Sequence, residues 1–199
     1  MTVGLGSGST VACLVEVLAQ ARPDACFVAA SPATAAAAQQ HRLPLFTLDA
    51  VGDLDLAIDG ADQIDPSGWL CKGGGAAHTR EKIIAAAARR FIVIASSDKL
   101  VDRCGPPLPL ELLAFAPATT MAAIGSTHLR TNTPASPDGG AIADYHGPID
   151  DPSQLARRLD QQPGVIAHGL FPPAMVDLVL VGGDFGRVEM FRPTRRPIP

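Results

Sequence analysis

The sequence predicts an α/β fold: a doubly wound, mostly parallel, Rossmann-like sheet with a small α+β, ferredoxin-like second domain. Three observations predict it. Short apolar runs alternate with alanine-rich helical runs through the first half of the chain, which requires parallel strands joined by right-handed crossovers. Polar, glycine-bearing loops follow several of those runs, and sheets of this kind bind ligands at the carboxyl ends of their strands. The texture then changes at "RCGPPLPLELLAFAP", Arg103 to Pro117, where four prolines mark a boundary.

Taken in order, "TVGLGSGSTVACLVEVLAQA" reads as a very short strand, a loop and a helix. "ACFVAAS" reads as a strand, and "PATAAAAQQHR" as a helix with Pro32 near its start. "LPLFTL" is a short strand, "DLDLAIDGADQID" a strand ending in a turn, "TREKIIAAAARR" a helix and "FIVIASS" a buried strand. Beyond the boundary come a helix ("ATTMAAIG"), strands in "HLRT" and "AIADYHG", a helix ("DPSQLARRLDQQ") and a strand ("VIAHGLF"), an order that suggests a split βαββαβ unit. "DLVLVGG" and "RVEMFRP" are closing strands returning to the first domain, and the Pro/Arg-rich "RPTRRPIP" reads as frayed. The expected division is residues 1–105 plus about 176–199 for the α/β catalytic domain, and about 106–175 for a small lid-like domain.

Bulk properties narrow the function. The chain has 199 residues and is 47% hydrophobic, enough for a sizeable core. A net charge of −4 argues against nucleic acid as a partner. The 4 cysteines form no C-x-x-C pair, which fits a reducing cytoplasm better than a disulfide framework or a zinc site. No run approaches about 18 apolar residues, so no membrane span is expected. No basic-then-apolar leader opens the sequence, so no signal peptide is read.

Four loops can carry chemistry. "GLGSGST", Gly4 to Thr10, pairs backbone-permissive glycines with hydroxyls just before a helix, a setting for an anion or simply a capped turn. It matches neither the dinucleotide fingerprint nor the P-loop. In "DGADQID", Asp59 and Asp62 follow a strand, either aiming two carboxylates into one cleft or merely building a turn. In "KGGGAAHTREK", Lys72 offers charge, Gly73, Gly74 and Gly75 let a backbone approach a ligand, and Glu81 falls in the first helical turn. There the helix dipole would lower its pKa unless burial offsets it; the plainer readings are a dipole-favoured glutamate and a solvated lysine. His78 is a wall or a cap with no catalytic role. "SSDKLV" puts Lys99 after a strand, as a ligand lysine or a surface one. Converging, the four loops supply what an aldose–ketose isomerase of sugar phosphates needs: an anion cradle, a base, and groups that stabilise enediolate oxygens without a metal or other cofactor.

"GLGSGST", "DGADQID", "KGGGAAHTREKII", "SSDKLV" and "LPLELLAFA" together resemble the ribose-5-phosphate isomerase type A family, in order and spacing. The resemblance implies interconversion of ribose 5-phosphate and ribulose 5-phosphate through an enediolate, by a metal-independent, cofactor-free homodimer or homotetramer. It implies that Glu81 transfers the proton and that Asp59, Asp62 and Lys72 surround the reacting carbons and ring oxygen. It implies substrate contacts from Ser7, Gly8, Ser9 and Thr10 on the phosphate side, from Gly60 and Ala61, from Gly73 to Gly75, and from Lys99. A catalytically weak or inactive sugar-phosphate-binding protein of the same fold is the alternative, and an acyl-CoA-type transferase a more distant one. The sequence departs from the family pattern at Gln63, His78 and "TNTPASPDGG". It also reads as N-terminally shortened by about one helix and the start of the first strand, which would weaken phosphate binding and expose the sheet edge.

Overall fold

The computed structural model describes residues 1–131, 133–183 and 186–193. The chain opens on β1 (Thr2–Leu5), α1 (Ser9–Ala21), β2 (Cys26–Ala29) and α2 (Pro32–Gln40). A single turn, α3 (Leu48–Val51), leads to β3 (Leu56–Asp59), then β4 (Gln63–Ile64), β5 (Leu70–Cys71), α4 (His78–Ala87) and β6 (Phe91–Ser96). Next come β7 (Leu108–Leu112), α5 (Pro117–Ile124), β8 (Thr127–Leu129), β9 (Ala141–Tyr145), α6 (Pro152–Asp160) and β10 (Val165–His168). The described chain closes with β11 (Leu170–Phe171), β12 (Leu178–Gly182) and β13 (Val188–Phe191).

Local chemistry sets these boundaries. Ser31 caps α2 by accepting the Thr34 N–H at 3.0 Å, with Pro32 in the first turn, where its missing donor costs nothing. Asp151 caps α6 in the same way through the Gln154 N–H. Leu155 and Leu159, one turn apart, are the buried stripe of α6. In β6 the alternate residues Phe91, Val93 and Ala95 are buried, and Val179 and Val181 of β12 are buried beside them. Burying each of the larger side chains is worth about 1.5–3 kcal/mol.

The main sheet has the order β13-β12-β6-β3-β1-β2, parallel throughout except for β13. From β1 the chain steps outward to β2, and the strands β3, β6 and β12 build in the opposite direction. The strand order therefore reverses between β1 and β3, and a cleft opens at the carboxyl ends of such a pair. β1 lies inside the sheet, hydrogen-bonded on both sides, with Leu5 fully buried. The exposed edge expected from a shortened start is thus absent at β1.

The second sheet, β10-β7-β9-β8, is antiparallel, with α5 and α6 as its helices. The element order β7-α5-β8-β9-α6-β10 is the split βαββαβ pattern expected from the sequence, but its first strand was hidden there by Pro109. The proline is tolerated because β7 pairs with β10 only from Leu110 onward. Two further expectations change. "LPLFTL" forms only one bridge, Leu45 to Phe27, since Pro44 offers no N–H and the chain turns into α3 by Leu48. "VIAHGLF" is two strands rather than one: β10 belongs to the second sheet, while β11 joins a small sheet of order β11-β5-β4. Gly169 is the break between them. The closing strands do return to the main sheet, and Pro193 packs on Gly68. Residues 194–199, the rest of the stretch read as frayed, lie outside the described residues. No helix among the described residues is long and apolar enough to cross a membrane.

Candidate active site

The cleft forms where β1 and β3 end. Past β1, the Gly6 N–H still bonds the Ile58 carbonyl at 2.9 Å, so the glycine loop leaves the sheet hugging β3. The Ser7 N–H donates to Asp59 Oδ1 at 3.1 Å, and the Gly60 N–H to the same oxygen at 2.7 Å. A Cβ on Gly6 would lie 1.8 Å from the Asp59 carboxyl carbon, so only glycine allows this approach. Gly8 then takes φ 88° and α1 starts at Ser9 with no side-chain cap. Its first amides, at the positive end of the helix dipole, point out of the loop uncapped by any side chain.

β5 delivers Lys72 from the other side. Its ammonium is 2.8 Å from Asp59 Oδ2 and 3.1 Å from Glu81 Oε2, with all three side chains buried. It also donates to the Gly60 carbonyl at 2.6 Å. The Ser7 hydroxyl donates to Glu81 Oε1. The solvated lysine that the sequence allowed is instead the centre of a buried cluster. Asp62 accepts the Gly74 N–H at 2.8 Å, which joins the aspartate turn to the glycine run. The cleft wall comprises Ser7, Gly8, Ser9 and Thr10, Gly60, Ala61 and Asp62, Lys72 to Gly75, and Glu81.

Electrostatics separates the two buried carboxyls. Burial pushes Asp59 up to about 7, and the charge of Glu81 adds to this against the pull of Lys72. Burial raises Glu81 as well, but Lys72 and the Ser7 hydroxyl outweigh it and hold Glu81 below its ordinary value. Lys72 loses to burial yet gains more from its two carboxylates, and stays charged well above the ordinary lysine range. Two neighbouring acids with separated proton affinities provide an ionised base beside a carboxyl that exchanges its proton near neutrality.

Nearly all the expected residues converge here, with two qualifications of place. Asp59 is not on the cleft wall; it sits behind Lys72 and braces it. Lys99 does not line the cleft either, and its ammonium pairs with Asp98 at 2.9 Å. The charge of Asp62 still acts on it. His78, fully buried at the start of α4, is no cap: it backs the glycine run, where a Cβ on Gly73 would come 2.7 Å from its Nδ1. Burial lowers its pKa to about 4. Among the described residues, no three His, Cys, Asp or Glu side chains are grouped to hold a metal ion.

The sequence reading missed Gly169 and Phe171. The Gly169 carbonyl accepts the Lys72 N–H at 2.8 Å, and a Cβ on Gly169 would fall 2.1 Å from the Lys72 carbonyl oxygen. The Phe171 ring centroid lies 5.5 Å from the Lys72 ammonium. The only signal for Gly169 was a glycine inside an apolar strand, a mark of close backbone approach.

Known proteins of one family resemble this chain over most of its length. The family model described as ribose 5-phosphate isomerase A (phosphoriboisomerase A) matches residues 26–186. The chain is 42% identical to ribose-5-phosphate isomerase A of Roseiflexus sp. (strain RS-1), over 98% of this chain and 91% of that protein. It superimposes on the solved ribose 5-phosphate isomerase A of Methanocaldococcus jannaschii with a TM-score of 0.89 at 33% identity, covering 96% of this chain and 91% of that one. A D-ribose-5-phosphate isomerase structure in complex with phospho-erythronic acid matches with a TM-score of 0.90 at 34% identity, covering 96% and 90%.

Proposed function

The chain belongs to the ribose 5-phosphate isomerase A family, and from that premise we infer how it interconverts D-ribose 5-phosphate and D-ribulose 5-phosphate. Glu81 is the base. On the open-chain aldose it takes the proton from C2, and the electrons of that C–H bond form the C1–C2 double bond of an enediolate while the aldehyde oxygen becomes anionic. Return of the proton to C1, with the O2 hydroxyl proton passing to O1, yields the ketose. The Lys72 ammonium and the amides of the glycine run stabilise the oxyanion; Asp59 fixes Lys72 and tunes it from behind. Asp62 faces the sugar hydroxyls. The uncapped start of α1, with Ser7, Gly8, Ser9 and Thr10, receives the phosphate. Lys99 adds a second charge at the cleft's outer side. A homodimer or homotetramer and a cytoplasmic location belong to the same proposal, the former checked by sedimentation velocity.

The observation that carries this reading is the buried Lys72 held between Asp59 and Glu81 at the point where the strand order reverses. A binding-only protein has no use for an ionised, partly desolvated glutamate beside a fixed ammonium. Incubating purified, folded protein with ribose 5-phosphate and reading ribulose 5-phosphate through a coupled ketose-specific enzyme tests it. Sustained turnover is expected; ligand-induced thermal stabilisation without any turnover would reduce the protein to a binding module.

A further inference from the structure

Arg130 stands just after β8, in the second sheet, and none of its atoms lines the cleft. Its side chain is only 16% exposed, and four of its N–H directions are accounted for. Nε donates to Asp144 Oδ2 at 2.6 Å and Nη2 to Asp144 Oδ1 at 2.6 Å, a two-pronged pair that fixes the plane of the guanidinium. The remaining nitrogen, Nη1, reaches across to the glycine run, donating to the Gly73 carbonyl at 3.2 Å and to the Gly74 carbonyl at 3.1 Å.

The consequence follows from the planarity of the peptide bond. In a trans peptide the carbonyl and the next N–H point to opposite sides. A grip on the Gly73 carbonyl therefore turns the Gly74 N–H the other way, where it meets Asp62 at 2.8 Å. A grip on the Gly74 carbonyl does the same for the Gly75 N–H, and Gly75 lines the cleft. Glycines have no intrinsic preference that would hold these two planes, and Gly73 sits at φ 106°. The Ala76 N–H bonds the Gly73 carbonyl at 3.0 Å from within the same loop, but the Gly74 carbonyl is held from across the cleft by Arg130.

We propose that Arg130 is a positioning residue for the isomerisation: clamped by Asp144, it fixes the Gly73–Gly74 and Gly74–Gly75 peptide planes so that their amides face Asp62 and the reacting oxygens. The assignment rests on the isomerase reading above. It also gives the second sheet a part in the chemistry, since β8 and β9 supply the arginine and its clamp. Lysine cannot replace Arg130, because a single ammonium cannot satisfy both Asp144 oxygens in one plane and still span two carbonyls.

The test compares wild type with Arg130→Gln, Arg130→Lys and Asp144→Asn, measuring kcat, KM for ribose 5-phosphate, inhibition by phospho-erythronic acid, and the melting temperature. Loss of oriented donors acts on the transition state more than on the ground state, so kcat should fall about 10- to 100-fold while KM changes little. Arg130→Lys should fail to rescue kcat. Asp144→Asn, which keeps the arginine but loosens its clamp, should be intermediate, and it provides the answer if Arg130→Gln does not fold. Inhibition by phospho-erythronic acid, whose carboxylate on this proposal lies against those amides, should weaken along with kcat. Wild-type kcat in folded Arg130→Gln, or recovery of kcat by Arg130→Lys in step with melting temperature, would overturn the proposal. Failure of the wild type itself to turn over would instead remove the isomerase reading on which it rests.

Discussion

The Lys72 ammonium stands 3.1 Å from Glu81 Oε2, and the same glutamate takes the Ser7 hydroxyl on its other oxygen. Glu81 is thereby ionised, aimed and almost dry before any substrate arrives. Glu81→Gln keeps the size, with its amide oxygen able to face Lys72 and its NH2 able to donate to the Ser7 hydroxyl oxygen, but it loses the charge and cannot accept a proton. Turnover should fall on the order of 10²–10⁴-fold with KM little changed. Steady-state kinetics reads both, and an unaltered kcat would remove Glu81 from the role of base.

Lys72→Met leaves two buried carboxyls without their cation. Breaking a buried ion pair in this one-sided way costs about 3–5 kcal/mol. The pH dependence carries a sign. Without Lys72, the folded-state affinities of Asp59 and Glu81 for protons both rise above their unfolded values. The stability of the variant is then greatest below the unfolded carboxyl range and is lost as pH rises through the folded values. Urea titrations of Lys72→Met at pH 4, 6 and 8 should show falling stability; a flat profile would mean that Lys72 was not neutralising them.

Gly169→Ala should be costly out of proportion to one methyl group. The added Cβ meets a backbone oxygen, that of Lys72, at 2.1 Å, so the chain itself has to move. A loss of about 1–3 kcal/mol is expected, together with reduced kcat because Lys72 moves with it. Gly105→Ala is the control, with nothing within 4 Å of the new atom and an expected change under about 0.5 kcal/mol. Thermal melts of the pair should separate clearly; equal melting temperatures would contradict the packing described at Gly169.

Acid should unfold the protein partly through two buried imidazoles. Burial lowers His78 to about 4 and His168 to about 3, the latter helped by the nearby Lys82 and His78 charges. His168 is satisfied as the neutral form: its Nε2–H points to Asp160 Oδ1 at 3.1 Å, and Nδ1 accepts the Leu170 N–H at 3.2 Å. Because the folded values lie below the unfolded one, the unfolded chain binds protons first as pH drops below about 6.5, and stability falls until the folded values are passed. The ceiling is on the order of 3 kcal/mol for His78 and about 5 kcal/mol for His168. His78→Gln and His168→Gln should each flatten the decline between pH 6.5 and 4 in denaturant titrations, and an unchanged slope in both would mean that other groups carry it.

The fold was legible where chemistry is local. Ser31, Pro32 and Asp151 announce helix starts, and the alternation in "FIVIASS" and "DLVLVGG" announces strands. Strand–helix order was enough for the main sheet, and the split βαββαβ unit survived even though Pro109 concealed its first strand. The site's members were legible too, since Ser7, Asp62, Lys72 and Glu81 sit in loops or a first turn and Asp59 ends β3, all where strands give way to exposed backbone amides and dipoles. Their division of labour was not. Whether Lys72 is solvated or buried depends on Gly169 and Phe171, about a hundred residues away in sequence. That Asp59 lies behind the lysine follows from Gly6 closing on it, a contact between two strands. Arg130 carries no local signature, because its meaning lies entirely in the carbonyls it reaches.

One ammonium against two carboxylates leaves the buried cluster with at most one net negative charge, and the substrate proposed for it is itself an anion. When Asp59 takes up its proton that charge falls to none, so at close range the reacting end of the site offers its ligand no net attraction. On the proposed reading the attraction comes from elsewhere, from the uncapped start of α1, where the phosphate would be held. Such an arrangement uses distant affinity to push a sugar against an unwelcoming base, so that binding energy is realised as the barrier is climbed. A pentose without its phosphate should therefore lose rate as well as affinity, however well its hydroxyls fit.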